Sequence, residues 1–229
     1  MSDKLLNLKN PLELMGFKKE DILSDGEFGA ILARAGVGKT SIVVQLAIFA
    51  MAKGKKVIHI SLDEPVNKIN VWYREVFNNL AEKNGIDSNA SAWESILPNR
   101  FIMTLQQDGF TVPRLEERLS DLSEQDIFTP DTLIIDGFPF DDADVQIIEE
   151  LKAFAEKMKI TVWFTVRTHR HESPDENGMP VQLSSISKYF GTAVQIVPEK
   201  DKISVKVLLG DAENSKEVLV NPETMLISE

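Results

Sequence analysis

The chain contains no cysteine among its 229 residues. This absence excludes a disulfide framework, a thiolate nucleophile and a metal site built from thiolates. Long apolar runs are also missing, because no stretch reaches the ~18 residues needed to cross a bilayer. The start, "MSDKLLNLKNPLELMGF", is too polar for a secretory signal. The sequence therefore predicts a soluble cytoplasmic protein with no membrane span.

Linkers and repeats are absent as well. No segment rich in proline, glycine and serine divides the chain, and no stretch of sequence recurs. With 43% of its residues hydrophobic, the chain can build one sizeable core. We therefore expect a single domain over 1–229, in which residues 1–25 form an accessory segment. Its helix, "NPLELMGF", is expected to pack beside the core.

Basic residues are the scarcer charged class, with 25 Lys and Arg against 36 Asp and Glu and a formal net charge of −11. An acidic average surface repels a phosphate backbone, so nucleic acid is a possible but disfavoured partner. The acidic residues are spread along the chain, as they are on an ordinary solvated surface.

Apolar segments alternate with amphipathic ones through most of the sequence. Buried strands are predicted at "FGAIL", "KVIHIS", "RFIMTL", "DTLIID" and "ITVWFTV". Helical patterns separate them, and the helix in "DDADVQIIEELKAFAEKMK" is predicted to carry acids in its first turn. Further strands are expected in "AVQIVPEKDKISVKVLL" and "KEVLV". The pattern predicts an α/β fold with a mainly parallel sheet, helices on both faces and antiparallel C-terminal hairpin strands.

Parallel sheets bind ligands at the carboxyl ends of their strands, and the first such end is the turn "ARAGVGKTS". Gly36 and Gly38 let the backbone curl, and the following helix offers free N–H groups and the positive end of its dipole. Lys39 would reach the β and γ phosphates, and Thr40 would offer its hydroxyl to Mg²⁺. The pattern is G-x-x-x-x-G-K-[ST], with Ala33 in place of the first glycine. The predicted nucleotide-binding residues are Arg34, Ala35, Gly36, Val37, Gly38, Lys39, Thr40 and Ser41.

Two other strand ends carry acids. Asp136 ends "TLIID", where a carboxylate beside a phosphate loop can hold Mg²⁺. Asp63 and Glu64 in "HISLDEP" lie where a carboxylate could orient and deprotonate an attacking water. Ordinary loop acids, or a helix N-cap before Pro65, are the alternative, and the sequence leaves open which of the two acids is the base.

The fourth strand end is "VRTHRHES". Arg167 and Arg170 are predicted to lie close to a γ-phosphate, which they could sense or whose loss they could transmit. His169 and His171, together with Glu172, suggest a metal site, although solvated loop histidines explain the spacing better.

The histidine and the aromatic residues inside the apolar segments are predicted to serve the core. His59 lies within a strand and is interpreted as a core histidine with satisfied hydrogen bonds. Trp72, Tyr73 and Trp163 are interpreted as packing residues, because they form no stacking platform for single-stranded nucleic acid.

Together these motifs resemble those of the RecA-like P-loop ATPases, especially the KaiC-type proteins and the ATPase domain of replicative hexameric helicases. "ARAGVGKTSIVVQLA" is similar to their phosphate loop and following helix, "SLDEP" to the segment with the catalytic carboxylate, and "TLIIDGF" to the Walker B strand. The resemblance covers about residues 15–210. It implies ATP and Mg²⁺ as ligands, Asp63 or Glu64 as the catalytic carboxylate, one additional strand between the Walker A and Walker B strands, and homo-oligomeric rings or filaments.

The sequence also departs from this family. Arg167 stands where the helicases often have glutamine, and in "KVLLG" Leu208 replaces the arginine that reaches a neighbour's nucleotide, although Lys206 matches the family's lysine. The leading expectation is a slow Mg²⁺-dependent ATP hydrolase whose ATP or ADP state controls assembly or a protein partner. The alternatives are a nucleic-acid-dependent ATPase and a nucleotide-binding scaffold that does not hydrolyse ATP.

Overall fold

The computed structural model describes residues 3–17, 22–86, 90–142, 144–212 and 218–228. The strands are β1 (Phe28–Ala33), β2 (Val57–Ser61), β3 (Arg100–Thr104), β4 (Thr132–Asp136), β5 (Thr161–Arg167), β6 (Phe190–Pro198), β7 (Ile203–Leu209), β8 (Val218–Val220) and β9 (Ile227–Ser228). The helices are α1 (Asp3–Leu6), α2 (Lys39–Ala52), α3 (Val66–Lys83), α4 (Ala90–Ile96), α5 (Val112–Glu124), α6 (Val145–Met158) and α7 (Val181–Ser184).

The strands form one sheet in the order β3-β2-β4-β5-β1-β6-β7-β8-β9. Every pair from β3 through β6 is parallel, and the pairs from β6 to β9 are antiparallel. The predicted α/β class, with its mainly parallel sheet and antiparallel C-terminal strands, is confirmed. β5 lies between β1 and β4, so the strand that precedes the glycine turn and the strand that ends in Asp136 are separated by one strand.

Each face of the sheet carries its own apolar core, because side chains alternate along a strand. Ile31 and Ala33 of β1 belong to the core that includes α2, α3 and α4. Ala30 and Leu32 belong to the core that includes α5, α6 and α7. Helices therefore cover both faces of the sheet, as the apolar strands require.

Helix α2 is buried on most of its surface, because apolar residues surround it rather than forming one stripe. The N-terminal segment supplies part of its cover. Leu5, Leu12 and Met15 are fully buried in the core on the α2 face. The segment "PLELM" forms a 3₁₀ helix over Pro11–Met15 that Asn10 and Glu13 cap reciprocally, where the sequence predicted a helix.

Helix α6 begins later than the sequence predicted. Its N-cap is Asp144, whose side chain accepts a hydrogen bond from the backbone N–H of Gln146, and no acid lies in the first turn. A short 3₁₀ turn over Phe140–Asp142 precedes it. Because Asp141 lies outside α6, its carboxylate is free to turn toward the carboxyl ends of the strands.

Among the described residues, no helix combines the length and the apolar character that crossing a bilayer requires.

Candidate functional site

A cavity of about 800 Å³ opens at the carboxyl ends of β1, β2, β4 and β5. This volume lies within the ~300–1,000 Å³ that is usual for small-molecule sites. The predicted site residues that line it are Ala35, Gly36, Gly38, Lys39, Thr40, Ser41, Asp63, Glu64, Asp136 and Arg167. The parallel sheet therefore brings residues from four separate strand ends to one place, because its strands end side by side.

The glycine turn has the conformation that its sequence demands. Gly36 and Gly38 adopt left-handed backbone φ angles of +75° and +98°, which side chains with a Cβ atom rarely tolerate. Gly38 is the N-cap of α2 and provides no side-chain hydrogen bond to its first turn. The backbone N–H groups of that turn are thus left available for an anion at the positive end of the helix dipole.

Lys39 is folded back onto the loop that precedes it. Its Nζ donates a hydrogen bond to the backbone carbonyl oxygen of Arg34, 3.3 Å away. Burial lowers the pKa of Lys39, and the Arg167 charge lowers it further, whereas Asp136 and Asp63 act in the opposite direction. The ammonium group of Lys39 therefore lies near the carboxylates of Asp136 and Asp63 and near the guanidinium of Arg167.

Thr40 and Asp136 are in direct contact. Thr40 Oγ1 donates a hydrogen bond of 3.0 Å to Asp136 Oδ2, and Thr165 Oγ1 donates one of 2.5 Å to Oδ1. Burial alone would raise the pKa of Asp136, but its interactions with His59, Thr165 and Thr40 outweigh burial and hold the pKa below its ordinary value. The side chain is therefore kept as a carboxylate whose orientation is set from both oxygens.

The oxygen atoms of Thr40 and Asp136 fit a magnesium ion. Mg²⁺ prefers hydroxyl, carboxylate and water oxygens, and it is usually held by one or two protein ligands plus phosphate oxygens. Both oxygens line the cavity at the start of α2, where phosphate would bind. The ionised state of Asp136 supplies the negative charge that such a site needs.

The tandem acids occupy different surroundings. Glu64 Oε1 lies 2.6 Å from Lys68 Nζ, one turn along α3. Asp63 instead lies against Gly137, the residue that follows Asp136. Burial raises the pKa of Asp63, and the charges of Asp136 and Glu64 raise it further, against smaller effects of Arg167 and Lys39. Glu64 has a cationic partner, whereas Asp63 faces the other carboxylate of the site.

The predicted arginines separate in space. Arg167 ends β5 beside Ala33 and lines the cavity with Lys39 and Asp63. Arg170 and Arg34 line a second cavity of about 240 Å³. Among the predicted nucleotide-binding residues, Val37 packs against the core on the α2 face. Of Arg34, Arg167 and Arg170, only Arg167 lines the cavity that also contains the carboxylates of Asp63 and Asp136.

The loop after β5 contains a cluster that the sequence suggested only in part. His169 and Glu172 meet Asp141, with ligand atoms within 4.8 Å of one another, while His171 takes no part. His169 Nε2 lies 2.7 Å from Asp141 Oδ2. The amide of Gln182 donates hydrogen bonds to Asp141 Oδ1 and Glu172 Oε2 at 2.9 and 2.5 Å. The carboxylates of Asp141 and Glu172 thus have polar partners among neighbouring side chains, without an ion between them.

The C-terminal segment reaches the glycine turn, a contact that no sequence motif indicated. Glu223, Thr224 and Met225 line the cavity, and Met225 has a left-handed φ of +55°. A Cβ atom on Gly38 would lie only 1.9 Å from the methyl carbon of Met225, so this side chain fills the space beside Gly38. Gln45 of α2 holds the segment, because its Nε2 donates 2.8 Å to the Met225 carbonyl and its Oε1 accepts from Ile227 N–H.

The aromatic and histidine side chains of the core extend to the site. Trp163 and Tyr73 are buried, as predicted, but Trp72 is only partly buried and lines the cavity. His59 is fully buried, and the prediction that its hydrogen bonds are satisfied is wrong for Nε2. This nitrogen has no hydrogen-bond partner among the described residues and lies 3.7 Å from Asp136 Oδ2.

The segment that the family resemblance linked to a neighbouring subunit lies away from the cavity. Leu208 of β7 is partly buried and packs against the core on the α5 face. Lys206 of the same strand is exposed. Neither residue lines the cavity at the strand ends.

No model of a known protein family matches the chain, and no curated protein matches its sequence.

Proposed function

We propose that this chain binds ATP together with Mg²⁺ in the cavity at the ends of β1, β2, β4 and β5 and hydrolyses it slowly. One observation carries the proposal. Thr40, at the start of α2, donates its hydroxyl hydrogen to Asp136, which comes from a strand two positions away in the sheet. A glycine turn, a lysine, a threonine and a carboxylate in this arrangement are what Mg²⁺-dependent phosphoryl transfer requires.

The phosphates are proposed to bind in the turn formed by Gly36 and Gly38. The N–H groups at the start of α2 point at an anion there, and the helix dipole adds favourable charge. Lys39 is held by a carbonyl oxygen of the same loop and needs only to turn from it to contact phosphate oxygens. A phosphate group offers the ammonium a stronger, charge-assisted hydrogen bond than the carbonyl does.

Thr40 and Asp136 would hold Mg²⁺ by their oxygen atoms. A magnesium ion held there would supply positive charge against the phosphate oxygens. Thr165 keeps the Asp136 carboxylate oriented, and the lowered pKa of Asp136 keeps it ionised over the neutral pH range.

Asp63 is the proposed general base. Its raised pKa brings it closer to neutral pH, which improves proton transfer from a water molecule. Glu64 is instead engaged by Lys68, whose Nζ donates a hydrogen bond to Glu64 Oε1. Arg167 lies in the same cavity and is proposed to contact the γ-phosphate, whereas Arg170 is turned toward the second cavity.

A RecA-like fold is the proposed interpretation of this architecture. The single strand between β1 and β4 and the antiparallel strands after β6 support it, since the resemblance implied the first feature. Assembly into a ring or filament, or regulation of a protein partner, remains part of the proposal. Leu208 stands where the resembled rings deliver an arginine, so we expect turnover well below ~10 s⁻¹.

The test measures nucleotide binding by calorimetry and phosphate release from the purified chain, with Mg²⁺ and with EDTA. Lys39→Ala should weaken ATP binding by ~1.5–3 kcal/mol, which is about 10- to 150-fold, because it removes a charge-assisted contact. Lys200→Ala, at an exposed position in the turn between β6 and β7, is the matched control and should bind like the parent.

Equal ATP affinity in the Lys39→Ala variant and the parent would refute the phosphate site. Tight binding with no phosphate release in the parent would favour the scaffold that does not hydrolyse ATP.

A further inference from the structure

His59 lies on the buried side of Asp136, the proposed magnesium ligand. It lies in the middle of β2, is fully buried, and is paired across the sheet with Ile134, two residues before Asp136. Its Nε2 is a buried nitrogen without a hydrogen-bond partner in the part of the chain that the structure describes. Asp136 Oδ2 lies 3.7 Å from this nitrogen. A buried polar atom that lacks a partner is costly, so this placement calls for an explanation.

The other ring nitrogen of His59 is held by Tyr73. Nδ1 lies 3.2 Å from the Tyr73 hydroxyl oxygen, and Tyr73 is itself fully buried on α3. The guanidinium of Arg100 stacks on the Tyr73 ring at 4.6 Å and fixes its position. Burial raises the pKa of Tyr73 above its ordinary value, although the charge of Arg100 acts against this, so the hydroxyl keeps its proton.

The hydrogen bond with the Tyr73 hydroxyl decides which tautomer the His59 ring adopts. When Tyr73 donates to Nδ1, the imidazole proton lies on Nε2 and points toward the Asp136 carboxylate. In the opposite tautomer, Nε2 would turn a lone pair toward a carboxylate oxygen in a buried site. The second arrangement brings two electron-rich atoms together in a low dielectric, so the first is favoured.

We propose that His59 is a positioning residue for Asp136, with its tautomer set by Tyr73. The proposal rests on the proposed magnesium site. Thr40 donates a hydrogen bond to Asp136 Oδ2 from the cavity side, and Thr165 donates one to Oδ1. The Nε2–H of His59 faces Oδ2 from the buried side. A donor that faces a metal-binding carboxylate in this way helps to fix its orientation, and the loss of such an outer contact typically lowers metal affinity about 10- to 100-fold.

The experiment measures Mg²⁺ affinity separately from nucleotide affinity. A fluorescent ADP derivative is bound to the full chain at fixed concentration, first in EDTA and then across a Mg²⁺ titration. His59→Phe should lower the apparent Mg²⁺ affinity about 10- to 100-fold, because it keeps a buried ring and loses the donor. Nucleotide binding in EDTA should stay within about twofold of the parent, which a merely structural collapse would not allow.

Two further variants separate the roles of the two nitrogens. His59→Gln places an amide donor near the position of Nε2 and should restore part of the Mg²⁺ affinity. Tyr73→Phe removes only the hydroxyl that sets the tautomer and should lower the affinity less than His59→Phe does. Tyr189→Phe removes the other tyrosine hydroxyl, which bonds Glu149 away from the cavity, and should leave the titration unchanged.

The tautomer is measured without nucleotide by ¹⁵N NMR of the imidazole rings. The chain has three histidines, so the signal missing in His59→Phe or His59→Gln identifies His59. We expect the Nε2–H form in the parent and a mixture of tautomers in Tyr73→Phe. An Nδ1–H form in the parent would overturn the proposal, as would an unchanged Mg²⁺ affinity in a folded His59→Phe variant.

A parent chain that binds no nucleotide would refute the proposed function but not decide His59. The NMR measurement then does so on its own, since the Nε2–H form supports the contact with Asp136 and the Nδ1–H form rejects it. If His59→Phe does not fold, Tyr73→Phe and the parent spectrum give the same decision.

Discussion

The carboxylate of Asp63 lies in the space beside Gly137 that a side chain would otherwise fill. A Cβ atom on Gly137 would come within 2.5 Å of Asp63 Oδ2. Gly137 directly follows Asp136 and has a left-handed φ of +87°. The base proposed for water activation and the carboxylate proposed for Mg²⁺ are thus brought together by one residue that lacks a side chain.

Gly137→Ala should displace Asp63 and lower ATP turnover about 100-fold, because misplacing a catalytic group by about 1 Å costs that much. ATP binding should be nearly retained, since the phosphate loop is not touched. Gly54→Ala is the matched control. Gly54 has a similar φ of +82° with no atom within 4 Å of its Cβ position, so it adds backbone strain without a clash. Equal losses of turnover in the two variants would contradict this role of Gly137.

The two tandem acids should differ in kinetics. Asp63→Asn keeps the shape of the side chain and removes the base, so turnover should fall about 10²- to 10⁴-fold while ATP binding changes little. Glu64→Gln should have a smaller effect, since Glu64 is engaged with Lys68. Phosphate release and ATP titration measure both quantities. The reverse order would make Glu64 the base, and parental turnover in both variants would place the chemistry elsewhere.

The stability of the chain should depend on Asp63 with a definite sign. Folding raises the pKa of Asp63 above its ordinary value of 3.8. Protonation of Asp63 therefore stabilises the folded chain below pH 3.8, and this contribution is lost as the pH rises through the pKa of the folded state. At pH 7 the ionised carboxylate therefore destabilises the ligand-free chain. Asp63→Asn should raise the Tm at pH 7, and the gain should shrink as the pH approaches 3.8.

Asp136 should affect the pH dependence of stability in the opposite direction, because folding lowers its pKa. Its contribution to stability is present above 3.8 and is lost as pH falls through the folded value. Asp136→Asn should therefore lower the Tm at pH 7. Thermal melts of both variants between pH 3 and pH 7 measure the two trends, and a fall in Tm for Asp63→Asn at pH 7 would contradict the first.

Arg167 and Arg170 should also behave differently. Arg167→Ala should bring the slow turnover below detection, since a cation at the transferring phosphoryl group is commonly worth ~10³–10⁵ in rate. Arg170→Ala should leave turnover close to that of the parent, because Arg170 lines the second cavity. Single-turnover phosphate release measures both variants, and fast turnover after loss of Arg167 would remove it from the site.

Leu208→Arg tests whether a neighbouring subunit takes part. An isolated chain should hydrolyse ATP at an unchanged rate, because Leu208 packs on the α5 face and does not line the cavity. An increase in rate that grows with protein concentration would show that subunits assemble and supply this position to each other. An increase independent of concentration would contradict the arrangement described for β7.

Local pattern was enough to predict the sheet, the glycine turn and the acid at the end of β4. Each of these depends on residues close together in the chain, since apolar periodicity defines the strands and the glycines define the turn. Because parallel strands end on one side of a sheet, the meeting of Lys39, Thr40, Asp63 and Asp136 also followed from their positions. The start of α6 did not, because the acids before it were equally compatible with a first turn or a cap.

Contacts between distant segments were decided only by the tertiary structure. Met225 reaches the glycine turn through Gln45, which lies 180 residues earlier in the chain, and no sequence motif links the two residues. His59 meets Asp136 because β2 and β4 are neighbours in the sheet, although β3 lies between them in the sequence. The sequence by itself determined which residue types stand at each strand end, whereas strand order and packing determined which of them touch.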